Sequence, residues 1–265
     1  MSTFSDDHKR FIKQLKREKL LIRISQISII IVFLIIWEIL SHFEIINPFL
    51  YSSPSRVFKT ILSLNNSNEL FSHIWITVYE TILSFSIASI FGILIATILW
   101  WNKFISKVMD PYLTVINSLP KVALGPLIII WVGASTNSII VMALMISLII
   151  SVINIYNGFI STNDSFVQLL KTFKANKFQI FVKAVLPSNK ITIINAFKIN
   201  ISMSLIGVVM GELLVSKKGL GYLIMYGSQV FNINLVITSV VILGIVSYLM
   251  YYIISFIEKK LIKNI

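Results

Sequence analysis

Long apolar runs separated by short polar segments rich in lysine set the pattern of this chain. The runs lie at about Ile24–Leu40, Ile74–Trp101, Val108–Val132, Ile139–Tyr156, Ile191–Val215 and Ile233–Ile257. Each is close to or beyond the ~20 apolar residues that cross a bilayer as a helix. The pattern therefore predicts an all-α, polytopic transmembrane helical bundle of about six spans. Pro120, Gly125 and Pro126 interrupt the third run. Proline removes a backbone donor from the helical ladder, so a bend toward the bundle interior is expected there. Between the first two spans, Pro54-Ser55 reads as a helix start, with Val57, Ile61, Leu62 and Leu64 on one face. Asn65-Asn66-Ser67-Asn68 ends that short helix.

The pattern changes between the fourth and fifth spans. Residues 161–190 are polar and far longer than a simple connection between helices. Phe166, Leu169, Leu170 and Phe173 recur at the spacing of one helical face. Ala175-Asn176 predicts a turn, and a second short helix follows from Lys177 to Val185 with Phe178, Ile180, Phe181 and Val182. Pro187 marks the entry to the fifth span. Two short helices with lysines on one side and aromatics on the other have two uses. They can lie at the headgroups as a membrane-surface pair, or fit an apolar ridge into a groove of a cytoplasmic partner.

Charge gives the bundle a direction. The formal net charge is +12. The N-terminal cations Lys9, Arg10, Lys13, Lys16, Arg17, Lys19 and Arg23 fall on the same side as Lys103, Lys107, the lysines of 161–190, and Lys259, Lys260 and Lys263. Arg56, Lys59, Lys217 and Lys218 fall on the other, while Lys121 and Lys198 lie at or within spans. The positive-inside rule then places both ends in the cytoplasm, with an even number of spans. The basic N-terminus before an apolar run suggests a signal peptide, but Ser41-His42-Phe43-Glu44 offers no small-residue cleavage site, which predicts an uncleaved first span.

Composition agrees. The chain is 56% hydrophobic and 13% charged, with mean hydropathy +0.86, whereas soluble domains carry roughly a quarter charged residues. The lysines sit between apolar runs rather than along one polar face, so a nucleic-acid partner is not expected. Without cysteine there is no thiolate chemistry or disulfide. His8, His42 and His73 are scattered, and no metalloprotease, serine-hydrolase or phosphate-loop motif is present. No internal repeat of the inverted-transporter kind is evident.

Ionisable and polar groups within spans are expensive and therefore worth naming. Glu80 reads either as a partner for a cation across the bundle or as a solvated residue at a span end. Glu212, near the outer end of the fifth span, suits a packing or gating contact. Lys198 reads as snorkelling to the cytoplasm. Thr77, Thr81, Ser84, Ser86, Asn195, Asn200, Ser202 and Ser204 are groups that hydrogen-bond between helices or line a path.

The stretch Gln168–Pro187, with Gln179-Ile180-Phe181 and the closing Val185-Leu186-Pro187, resembles the EAA loop of bacterial ABC importer permeases. Gln168-Leu169-Leu170 stands where Glu-Ala-Ala is usual in that family, and Lys174 where glycine is usual. Asp110-Pro111, Leu119-Pro120, Ala123, Pro126-Leu127 and Trp131-Val132-Gly133 resemble the third span of the nitrate, sulfonate and taurine type. Glu212 with Gly219-Leu220-Gly221-Tyr222-Leu223-Ile224 resembles the fifth span and its external loop, and Trp37-Glu38 and Pro54-Ser55 resemble the N-terminal part.

The resemblance implies a type I ABC importer permease fold, divided into a tail (1–23), a first span with an external segment (24–73), a transmembrane domain with five core spans (74–257) and a second tail (258–265). It implies a permease homodimer in the lipid bilayer, cytoplasmic ABC ATPase subunits and an external substrate-binding protein. ATP is then used by the partner, with no cofactor and no metal bound by this chain. The ATPase-coupling residues would be Gln168, Leu169, Leu170, Phe173, Lys174, Ala175, Phe178, Leu186 and Pro187, with displacement passed on through Pro187 and Gly158. Pathway or gating candidates are Pro120, Gly125, Pro126, Asn200, Ser204 and Glu212. The implied substrate is a small anion such as nitrate, a sulfonate or taurine, or a vitamin precursor. An ion-coupled transporter would instead need charges at mid-membrane and no docking loop; a non-transporting membrane scaffold is the other alternative.

Overall fold

The computed structural model describes residues 6–262, with side chains for 11–260; the cations Lys9, Arg10 and Lys263 named above lie outside those described side chains. Every regular element among the described residues is helical. Five helices are long and apolar enough to cross a membrane: Phe11–His42 within α1 (Asp6–His42), α4 (Glu69–Trp101), α7 (Thr136–Ile160), α11 (Lys190–Val215) and Ile233–Lys260 within α13 (Ile233–Ile262). A bent pair makes a sixth.

That pair is the predicted third span, and its structure corrects the expectation. α5 (Lys103–Ser118) starts at once after α4, because the Asn102 side chain accepts from the N–H groups of Phe104 and Ile105, at 2.9 and 3.3 Å. Pro111 sits inside α5 without ending it. The break comes at Leu119-Pro120, where the backbone is extended. One 3₁₀ turn (Lys121–Leu124) then leads into α6 (Gly125–Val132), and the two arms meet at 84°. Gly125 and Pro126 thus open the second arm rather than interrupt one helix. The arm does turn into the bundle: Ile128 is buried, and a Cβ on Gly125 would strike the Leu214 side chain.

α1 exceeds its apolar run because the basic stretch before it contains no helix-breaking glycine or proline. Residues 11–36 are exposed, so this span offers its apolar surface to the surroundings. Its C-terminal end is anchored. Trp37 Nε1 donates to the carbonyl of Tyr51 in the short α2 (Pro48–Tyr51) at 3.2 Å. The Ser55 N–H, at the start of α3 (Pro54–Asn66), donates to Glu38 Oε2 at 3.0 Å, a carboxylate where a helix N-terminus favours one. The two N-terminal motif fragments of the sequence meet here.

α4, α7 and α11 form the core, and small residues let their backbones approach. A Cβ on Gly207 would lie 2.4 Å from Ala143 Cα, and one on Gly211 would lie 2.9 Å from Ile139 Cα. On α4, a Cβ on Gly92 would meet Ser151 Oγ at 2.4 Å. Without a hydrophobic drive between helices in lipid, such close van der Waals contact is what holds them together. α12 (Leu220–Gln229) and α13 complete the bundle, packing Leu220, Leu223, Leu235 and Ile242 with Ile201.

Candidate functional site

The helix pair between α7 and α11 is built from local capping. α8 (Asp164–Thr172) begins with Asn163, whose side chain accepts from the Ser165 N–H at 2.9 Å. It ends in a Schellman turn: Lys174 N–H donates to the Lys171 carbonyl, and Ala175 N–H to that of Leu170, at 2.9 and 3.0 Å. Lys174 is the residue that turns left-handed, with φ 57°. Glycine takes that conformation without steric cost, which explains physically why the resembling family favours glycine where this chain has lysine. α9 (Lys177–Ile180) opens with a reciprocal capping box: Asn176 accepts from the Gln179 N–H at 2.8 Å, and Gln179 accepts from the Asn176 N–H at 2.9 Å. A π turn over Phe181–Val185 and the short α10 (Leu186–Ser188) replace the single second helix expected over Lys177–Val185.

The pair is wedged against the ends of three spans. The Phe181 ring lies 5.0 Å from that of Trp100 and 5.5 Å from that of Phe159. Lys177 donates to the Trp101 carbonyl, with its ammonium 5.7 Å over the Trp100 ring. Buried Asn189 donates to Thr162 Oγ1 at 2.7 Å and to the Val185 carbonyl at 2.8 Å, so it fastens the start of α11 to the segment leading into α8. Gly158 sits against Thr192 and Asn189, too close for any Cβ. Both expected transmission points therefore lie at this junction.

One apolar ridge of the pair remains uncovered. Phe166, Leu169, Phe173 and Phe178 are 54, 55, 75 and 63% exposed. Gln168, Lys174, Leu186 and Pro187 are exposed as well. Leu170 and Ala175 depart from that face: with Val167 they pack inward on the cluster of Ile155, Phe159 and Ile180. The predicted apolar face therefore divides into an inner anchor and an outer ridge.

Of the pathway candidates, Gly125, Asn200, Ser204 and Glu212 are buried within the chain, whereas Pro120 and Pro126 are exposed. Asn200 Nδ2 donates to Ser89 Oγ at 2.8 Å, while Asn200 Oδ1, Ser204 Oγ and Ser84 Oγ are buried without a protein partner. Glu212 is 1% exposed; its oxygens accept from Thr77 Oγ1 and from the Gly221 N–H, both at 2.6 Å. His73 Nδ1 accepts from the Gly219 N–H at 2.9 Å, and Thr77 Oγ1 from the Leu220 N–H at 2.8 Å. Together these groups hold the N-terminus of α12 against α4 and α11. Neither expectation for Glu80 holds, since it is 2% exposed, its Oε2 is buried without a hydrogen-bond partner, and no cation pairs with it among the described residues. Lys198 is tied down too, in an ion pair with Glu258 of α13 and 5.9 Å over the Tyr251 ring. Of the polar residues expected to bridge helices, Thr81, Ser86 and Ser202 bond instead to carbonyls of their own helices. Thr77, expected to hydrogen-bond between helices, does so with Glu212 and Leu220. Sequence reasoning missed His73 as a support of α12. It also missed Gly207-Val208-Val209-Met210-Gly211, a GxxxG spacing that signals close helix packing.

Comparison with known proteins places this geometry in context. The family model described as "Binding-protein-dependent transport system inner membrane component" matches residues 88–264. The formylaminopyrimidine transport permease protein ThiX of Halalkalibacterium halodurans is 28% identical over 189 residues, covering 71% of this chain and 75% of that protein. The putative aliphatic sulfonates transport permease protein SsuC of Bacillus subtilis is 25% identical over 232 residues, 88% of this chain and 84% of its own. A chain of the MetNI methionine ABC transporter, in an inward-facing conformation, superposes with TM-score 0.64 at 18% identity, over 76% of this chain and 97% of its own.

Proposed function

The chain belongs to the family of binding-protein-dependent transport system inner membrane components, and from that premise we propose how this permease is driven and what it carries. It is the multi-pass membrane subunit of an ABC importer, a transport component with no ATPase site of its own. In the proposed arrangement both ends face the cytoplasm, and the α8–α9 pair docks on a separate cytoplasmic ATPase. Two copies of the chain enclose the path, and an external binding protein delivers the substrate.

The observation that carries the docking assignment is the exposed ridge of Phe166, Leu169, Phe173 and Phe178 on a pair braced by Leu170, Ala175 and Phe181. An apolar ridge on a rigid base suits insertion into a partner's groove. Movement of the ATPases would push the pair as one body. The Asn189 clamp and the Gly158–Thr192 contact would pass that push to α11 and α7. Such a switch between inward- and outward-facing states needs two packings of similar energy, biased by the partner.

The substrate proposed is a small organic or inorganic anion, or a vitamin precursor. Support comes from relatives whose names specify formylaminopyrimidine and aliphatic sulfonates. The test of the coupling assignment is ATP-driven uptake by the reconstituted complex carrying Phe173→Asp. Loss of ATPase binding, with the permease still folded, is expected; uptake at the unmodified rate would defeat the assignment.

A further inference from the structure

A second surface beside the helix pair has a different character. A cleft of about 690 Å³ opens where the inner ends of α4 and α7 meet α5 and α8, a volume within the ~300–1,000 Å³ of small-molecule sites. Lys103, Lys107, Lys171 and Lys177 line it, against one acidic residue, Asp164. The aromatic side chains are Trp100, Tyr156 and Phe159, with the Tyr156 hydroxyl hydrogen-bonded to Ser106. No residue of the exposed docking ridge contributes to the lining.

Three observations narrow the occupant. Four lysines gathered from α5, α8 and α9 leave a strong excess of positive charge, which favours an anion. Lys177 spends one of its three donors on the Trp101 carbonyl and keeps two. The floor is apolar, with Leu99, Phe159 and Ile180, and α5 continues away from the cleft with Phe104, Val108, Tyr112 and Val115 exposed along one side. Interfacial aromatics, a cationic rim and an adjoining apolar track are the chemistry of a lipid with a charged head. An acidic protein surface would match the rim but would leave the track unused.

We propose that this cleft seats the phosphate of an anionic phospholipid from the cytoplasmic leaflet, with an acyl chain along the Phe104–Val115 track. The leaflet assignment rests on the orientation given under the proposed function; the binding itself does not. By bridging α5 to α8, the lipid would tie the first arm of the bent span to the coupling element.

The test is native mass spectrometry of the purified full chain, titrated with dioleoyl phosphatidylglycerol or dioleoyl phosphatidylcholine. The wild type should retain the glycerol lipid preferentially. Lys103→Gln/Lys171→Gln should weaken that retention roughly 30-fold, from about a fivefold contribution per lysine at a membrane surface. Retention of the choline lipid should not change. Lys217→Gln/Lys218→Gln removes the same charge at the opposite end and should leave both lipids bound as in the wild type. Equal retention of the two lipids by the wild type, or equal losses in the two double variants, would overturn the proposal. So would inorganic phosphate displacing the lipid at equal concentration, which would assign the cleft to a free anion. If Lys103→Gln/Lys171→Gln releases the ATPase while lipid retention is unchanged, the cleft belongs to an acidic protein surface and the proposal also fails. Because lipid retention is read on the isolated chain, failure of the ATPase-docking assignment leaves this result standing. External thiol labelling of Lys103→Cys would overturn the orientation, and with it only the leaflet.

Discussion

Gly207 offers the sharpest test of how the three central spans are held. Its Cβ, if present, would lie 2.4 Å from Ala143 Cα and 3.1 Å from both Ala143 N and Ala143 Cβ. The first of these contacts is with backbone, so no side-chain rotation can relieve it. Ordinary van der Waals contact begins near 3.4 Å, so Gly207→Ala must drive α7 and α11 apart by about 1 Å, on the scale at which packing energy is lost. The same two helices meet again at Gly211–Ile139 and Gly158–Thr192, so separation at the middle loosens both neighbouring contacts. Overpacking of a close-packed interior costs about 1–3 kcal/mol, and we expect the upper part of that range here. Gly244→Ala supplies the comparison, because nothing lies within 4 Å of the Cβ it would gain. That change should be neutral or stabilise by up to about 1 kcal/mol through helix propensity. The assay is thermal unfolding of the purified chain in one detergent, with protease resistance as a second readout. Gly207→Ala should melt clearly below the wild type and Gly244→Ala at or above it. Indistinguishable melting of the two variants would refute the packing argument.

Further expectations follow from other named contacts. Lys174→Gly should be neutral or slightly stabilising, since relief of about 1 kcal/mol of left-handed strain is opposed by ~0.4–1 kcal/mol of added freedom in the unfolded chain. Lys174→Val should lose about 1 kcal/mol or more in the same melt, and equal melting of the two would contradict the cap geometry. Glu212→Ala strands the buried Gly221 N–H, at about 1–3 kcal/mol for a group left unpaired, and leaves the Thr77 hydroxyl only its longer bond to the His73 carbonyl, at 3.3 Å. Limited proteolysis at Lys217-Lys218 should quicken in that variant, and less in Glu212→Gln, which keeps one acceptor. The chain has no cysteine, so single-cysteine labelling reads topology directly. Ser67→Cys and Lys217→Cys should react with an impermeant thiol reagent from outside, and Lys183→Cys should not; the reverse pattern would invert the orientation.

The membrane architecture was legible because bilayer thickness imposes run lengths that hydropathy reports one span at a time. What hydropathy could not report was the 84° turn at Pro120. Proline marks a break, but the angle is set by where α6 finds its packing against α7 and Leu214. The capped helix pair was legible in outline from Phe166, Leu169 and Phe173. Its division into ridge and anchor was not, because Leu170 fits the same helical spacing and only the position of α7 draws it inward. Lys174 shows the opposite case. A departure from the usual glycine carried information about φ that the sequence held but could not weigh without the hydrogen bonds of the turn. Glu80 and Glu212 looked like span-end charges, because a single run does not reveal that α12 folds back over Glu212 or that Glu80 is enclosed by the bundle.

The central claim is that the exposed ridge of the α8–α9 pair meets the ATPase. A single cysteine at Phe173, the most exposed ridge residue at 75%, tests it most directly. In membranes holding the permease with its ATPase, Phe173→Cys should cross-link to the ATPase through a short bifunctional thiol reagent, with a yield that changes when ATP is added. Trp131→Cys, equally exposed at 75% but on the arm after the bent span's break, should not. Cross-linking from Trp131→Cys, with none from Phe173→Cys, would contradict the account.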